Sequence, residues 1–92
     1  MKLRIKGKVD NVGRHADFTH TYDHLPSFIG KRVSLPLNDL YLEVEEVYDD
    51  CLLFSIFYFD RAHEYSLRLG EGKSLRQEGN AFLLELEFYL EK

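Results

Sequence analysis

The chain has 92 residues, a formal net charge of −4, 45% hydrophobic and 14% aromatic side chains, which bounds it to one small domain with enough apolar mass for a core. A single cysteine, Cys51, excludes an intramolecular disulfide and any thiolate-pair metal site. No run reaches the ~20 apolar residues of a membrane helix, and the stretch from Met1 to Lys8 alternates charged and apolar residues where a leader would be continuously apolar, so a cytoplasmic protein is expected.

Charge is unevenly distributed along the chain. From Met1 to Leu37 the bases Lys2, Arg4, Lys6, Lys8, Arg14, Lys31 and Arg32 outweigh Asp10, Asp17 and Asp23 to give +4, and the remainder carries −8. In a small sheet protein such a split predicts a basic strand lying beside acidic ones.

Lys2 to Val9 sets Leu3, Ile5 and Val9 on one face and four cations on the other, the period of an amphipathic strand. Gly7, on the apolar face, predicts a bulge or a close backbone approach. Asp10 to Gly30 lacks clear periodicity and reads as one long loop with a helical turn around Asp23 to Ile29; loops of that length are functional or mobile. Lys31 to Leu37 reads as a short edge strand with Val33, Leu35 and Leu37 inward, ended by Pro36, and Asn38-Asp39 turns the chain.

Leu40 to Tyr48 alternates Leu40, Leu42 and Val44 against Tyr41, Glu43 and Glu45, and Asp49-Asp50 closes it into a hairpin with the run from Cys51 to Phe59. That run is apolar on both faces, with Leu52, Phe54, Ile56 and Tyr58 on one and Leu53, Phe57 and Phe59 on the other. It must therefore be covered from two sides. Asp60 to His63 connects to Glu64 to Leu69, where Tyr65, Leu67 and Leu69 point inward. Gly70-Glu71-Gly72 breaks the chain before a short strand from Lys73 to Arg76. After Glu78-Gly79-Asn80, the stretch from Ala81 to Leu90 sends Phe82, Leu84, Leu86, Phe88 and Leu90 inward. Its strict period of two outweighs the helix propensity of Leu, Glu and Ala. The expected fold is all-β: six or seven antiparallel strands in a sandwich or small barrel with one long loop.

Several constellations carry chemistry on paper. His15, His20 and His24, with Asp17 and Asp23, supply imidazole and carboxylate donors, and a divalent-metal site there is one functional expectation. Gly70-Glu71-Gly72-Lys73-Ser74 ends like a phosphate-binding loop, but the position five residues before its Gly-Lys-Ser end is Leu67 and no helix follows, so it reads as a glycine-rich link. Cys51 begins the most apolar strand and reads as a small buried hydrophobe, not as a nucleophile served by His63 or a loop histidine. Glu43, Glu45, Glu85 and Glu87 have the period of a solvent face, not of paired catalytic acids.

Lys2, Arg4, Lys6 and Lys8, with Tyr41, Tyr58 or Tyr89 as stacking platforms, would suit an oligonucleotide-binding barrel. The acidic total and cross-strand pairing with Glu43 and Glu45, or with Glu85 and Glu87, argue against it. The leading expectation is a non-enzymatic interaction or accessory module without a cofactor. It meets a protein partner or a second copy through Leu52, Phe54, Ile56 and Tyr58, the apolar face assigned to an interface.

Overall fold

Every period-two stretch becomes a strand in the computed structural model, which describes residues 1–36, 39–58 and 60–92. The elements are β1 (Lys2–Asn11), β2 (Arg14–Tyr22), a 3-10 turn (Leu25–Phe28), β3 (Arg32–Ser34), β4 (Leu40–Val47), β5 (Cys51–Tyr58), β6 (Arg61–Arg68), β7 (Gly72–Gly79) and β8 (Phe82–Glu91). They form two antiparallel four-stranded sheets, ordered β2-β1-β8-β7 (sheet A) and β3-β4-β5-β6 (sheet B). The sheets do not close on each other, so the architecture is a sandwich and not a barrel. Among the described residues, no helix is long and apolar enough to cross a membrane.

The inward positions of both sheets make one core. Leu3 and Ile5 of β1 and Leu84, Leu86, Phe88 and Leu90 of β8 share it with Leu40, Leu42 and Val44 of β4 and Leu52, Phe54 and Ile56 of β5, all almost completely buried. Each such side chain contributes roughly 1.5–3 kcal/mol by leaving water. The sheets are tied at the centre by aromatic contacts. Phe54 meets Phe88 edge to face at 5.2 Å between ring centres, and Tyr65 stacks on Phe54 at 5.4 Å.

The stretch from Asp10 to Gly30 is not a long loop. Val12 and Gly13 both adopt positive φ, 46° and 79°, the conformation of a two-residue turn whose twist matches a right-twisted hairpin. The chain therefore doubles back at once, and β2 pairs with β1 from Asn11↔Arg14 to Leu3↔Tyr22. This raises the strand count among the described residues to eight. The helical turn is present as Leu25–Phe28, with Pro26 near its start and Leu25 buried. The β3 strand is shorter than the sequence indicates, and Leu37, Asn38 and Phe59 lie outside the described residues.

Gly7 marks a close approach, not a bulge. It pairs with Phe18, whose ring lies over the glycine where a Cβ would stand. The ring fills space that a side chain on β1 would otherwise take. The bulge falls instead in β4, between Val44 and Glu46.

Two stability predictions follow from these backbone positions. Gly7→Ala must displace the Phe18 ring and should cost about 1–3 kcal/mol in urea unfolding, part of which returns in the Gly7→Ala/Phe18→Leu double variant. Val12 is a β-branched residue at φ 46° and is 78% exposed, so Val12→Asn should raise stability by about 1 kcal/mol without altering the fold.

Candidate functional site

Each sheet has one face in the core and one face outward, and the two outward faces differ in chemistry. On sheet A the antiparallel register sets Lys6 opposite Glu87 and Lys8 opposite Glu85, with Asp17 on the other side of Lys8. Arg4 holds Glu91 at 2.9 Å, and Arg76 holds Glu85 at 3.0 Å. The basic strand thus lies against the acidic one, and the charge split along the sequence is largely neutralised within this sheet.

Tyr89 shares this face with the cations, whereas Tyr58 is buried in the core and Tyr41 lies on sheet B. The stacking platforms named for an oligonucleotide are therefore not gathered around the cation row.

Sheet B is built differently. Its central strand β5 turns Leu52, Phe54, Ile56 and Tyr58 inward, with 0%, 0%, 0% and 8% exposure. This corrects the sequence expectation for those four residues: they face the opposite sheet and have no surface left for a partner. The second covering layer that β5 requires is supplied on that side by sheet A.

What remains outward are Leu53 and Phe57, both half-buried, with Tyr41 directly opposite Phe57 on β4. Arg32, from β3, lies over the Phe57 ring at 3.9 Å from its centre. Between Leu53 and Phe57 sits Ser55, itself only 1% exposed, whose hydroxyl donates to Glu45 at 2.6 Å. The β4 bulge brings Glu45 and Glu46 together beside this strip, since an extra residue in one strand re-aims its side chains. Glu43, 3.8 Å from Arg32, and Glu64 flank Ser55 on β4 and β6, so an acidic row crosses the strip between Leu53 and the Phe57–Tyr41 pair.

The three loop histidines are not brought together. His15 and His20 are five positions apart on β2 and so lie on opposite faces, roughly 16 Å apart along the strand. His24 lies beyond the strand end with a left-handed backbone, φ 50°, and its carbonyl accepts the Ser27 hydroxyl and N–H. His20 packs its ring on Tyr22 at 4.5 Å. Among the described residues no group of three potential metal ligands is found.

His15 is engaged at both ring nitrogens: Nδ1 is 2.7 Å from Asp10 and Nε2 is 2.9 Å from Asp17. Each carboxylate accepts a hydrogen bond, and only the imidazolium has two N–H donors, so the bridge is complete only with His15 charged. These hydrogen bonds raise the His15 pKa above 6.5, Asp10 being the larger cause.

Other candidates separate in the same way. Cys51 faces outward at the start of β5, 3.6 Å from the Ser66 hydroxyl, whereas His63 points to the inward side of β6. They cannot act as a nucleophile and base pair. Glu43 and Glu45 lie on the opposite side of the sandwich from Glu85 and Glu87. Gly72, Lys73 and Ser74 open β7, where no helix end exists to receive a phosphate. A cleft of about 650 Å³ at one end of the sandwich has an apolar lining of Val9, Leu40 and Leu84, but Arg14 and Asp39 bring opposite charges to it.

No protein-family model matches the chain, and no curated protein or solved structure matches it significantly. The outward strip of sheet B was legible only as the second face of the apolar run. The missing signal was which of the two faces the other sheet would cover.

The His15 bridge yields a pH prediction. Because the folded pKa lies above the unfolded value of 6.5, the stabilisation is fully present below 6.5 and is lost as pH rises through the folded value. An NMR titration should place the His15 midpoint above 6.5, and Asp10→Asn should move it down.

Proposed function

We propose that the chain is a non-enzymatic protein-interaction module that docks a partner on the outward face of sheet B. The observation that supports this reading is the contrast between the two outward faces of one molecule. The middle of sheet A is covered by paired Lys and Glu, whereas the middle of sheet B presents Tyr41, Leu53 and Phe57. A solvent-facing sheet normally alternates apolar inward with polar outward. Apolar residues interspersed with carboxylates at the middle of an outward face are the composition of a mixed interface.

These carboxylates indicate the partner's chemistry. Glu43, Glu45 and Glu64 gather at Ser55 between Leu53 and Phe57, and Glu46 lies beside Leu53, with Arg32 committed to stacking on Phe57. A protein surface that sets Lys or Arg between apolar side chains is complementary to this arrangement, and salt should slow its association.

The test begins with capture on the immobilised chain from extract of its own cells, followed by identification and reconstitution with purified components. Leu53→Lys inserts a cation into the strip next to Glu46 and should weaken the reconstituted complex at least about tenfold while leaving the thermal midpoint within a few degrees. Lys8→Gln, on sheet A, should leave binding unchanged. A partner held equally by wild type and Leu53→Lys would overturn the reading.

A further inference from the structure

We infer that the free edge of β2 is a self-association site, at which a second copy pairs antiparallel through its own β2 about Thr19. This inference is independent of the docking face on sheet B. It starts from what each of the four sheet edges carries. At one edge, β3 has only three residues, and the chain just before it bridges to β4 through Ile29 and Gly30. On the other side β6 and β7 are cross-linked by side chains: Lys73 donates to the Ser66 carbonyl at 2.6 Å, and Arg61 reaches Gln77 at 3.4 Å. Lys73 and Arg76 also place cations along β7, a device that discourages strand addition.

The fourth edge carries fewer of these devices. Among the described residues no strand pairs with the outer side of β2, which runs for nine residues without proline or bulge and whose one arginine, Arg14, stands at the hairpin end. In a two-residue hairpin the closing pair, here Asn11 and Arg14, is hydrogen-bonded, and bonding alternates from there. Arg14, Ala16, Phe18, His20 and Tyr22 therefore direct their backbone groups at β1. His15, Asp17, Thr19 and Thr21 direct theirs away from it, a row of four N–H and four C=O groups. The charges that could guard this row, His15 and Asp17, are already bonded to each other. Thr19 and Thr21 are strand-favouring residues.

A second copy fits this edge by hydrogen-bond complementarity. Inversion about Thr19 sets Thr19 against itself and Asp17 against Thr21, the latter twice by symmetry. The Thr21 hydroxyl of each copy can then donate to Asp17 of the other, while His15 keeps its own bonds to Asp10 and Asp17. Ala16 opposite Tyr22 and Phe18 opposite His20 place small against large and ring against ring on the inward side. Inversion about Asp17 would instead set two carboxylates face to face. The Thr19 arrangement is a closed two-fold contact that joins two copies of sheet A into one eight-stranded sheet and leaves no free β2 edge.

Sedimentation equilibrium of the purified chain, from about 1 μM to about 1 mM, reads the association directly. Hydrogen exchange over the same series reads its location. The expected result is a monomer–dimer equilibrium with protection of the Asp17, Thr19 and Thr21 amides that grows with concentration. Thr19→Pro removes an N–H that points away from β1, so it should spare the β1–β2 ladder and weaken the dimer at least about tenfold. A monomer throughout the range, or a dimer whose β2 amides exchange as fast as in the monomer, would overturn the inference. So would a dimer insensitive to Thr19→Pro but lost with Leu53→Lys, which would move the contact to sheet B.

Discussion

The pairing of β1 with β8 is the constraint on which the rest of the sandwich depends. These strands come from the two ends of the chain, yet they lie side by side at the centre of sheet A over ten residue pairs, from Lys2↔Glu91 to Asn11↔Phe82. Their inward sides supply Leu3, Ile5, Leu86, Phe88 and Leu90 to the core. A one-residue slip of either strand would turn its share of these to solvent and send the β1 lysines or the β8 glutamates inward, so burial and charge select the same register. Both flanking hairpins are attached to this pair, β2 through Val12-Gly13 and β7 through Asn80-Ala81. Because the pairing closes nearly the whole chain, its loop-closure entropy must be met before its contacts repay it, and a sheet protein with such non-local pairing folds slowly compared with a helical one.

Sheet B depends on that frame, but its character is different. It is a continuous meander from β3 to β6, and its local pairings need little from the rest of the chain. What sheet A adds is a cover for one face of β5. With Leu52, Phe54, Ile56 and Tyr58 taken into the core, Leu53 and Phe57 remain on the other side beside Tyr41, Arg32, Ala62, Ser66 and the neighbouring carboxylates. The functional reading depends on this asymmetry. The β4 bulge brings Glu45 and Glu46 to the strip, and Ser55 is sealed beneath Glu45 at its centre. The strip and its carboxylates are therefore products of the same strand geometry.

The histidines show why proximity in sequence is poor evidence for a metal centre. Read as a loop, the segment from Asp10 to Gly30 leaves His15, His20 and His24 free to converge. As a strand it forbids this, since a period of two separates residues five apart onto opposite faces. His15 is instead consumed in a bridge that fastens β1 to the start of β2 on the outward face.

The sequence by itself determined the fold class, the inward residues of β1, β4 and β8, Tyr65 and Leu67 of β6, and the hairpin at Asp49-Asp50. It set the β1 cations beside an acidic strand without deciding between β4 and β8, and Leu69, read as inward, lies past β6 and is 36% exposed. Alternation at period two and the need to bury apolar side chains are local properties that any compact structure must satisfy. It did not reveal β2, because the strand's inward row of Ala16, Phe18, His20 and Tyr22 is weakly apolar and its turn carries valine where asparagine is usual. Nor could it say which face of β5 would be exposed: both faces are apolar, and burial of one depends on where β8 comes to lie. That choice belongs to the tertiary structure, because only the packing of sheet on sheet distinguishes two faces that are chemically alike along the chain.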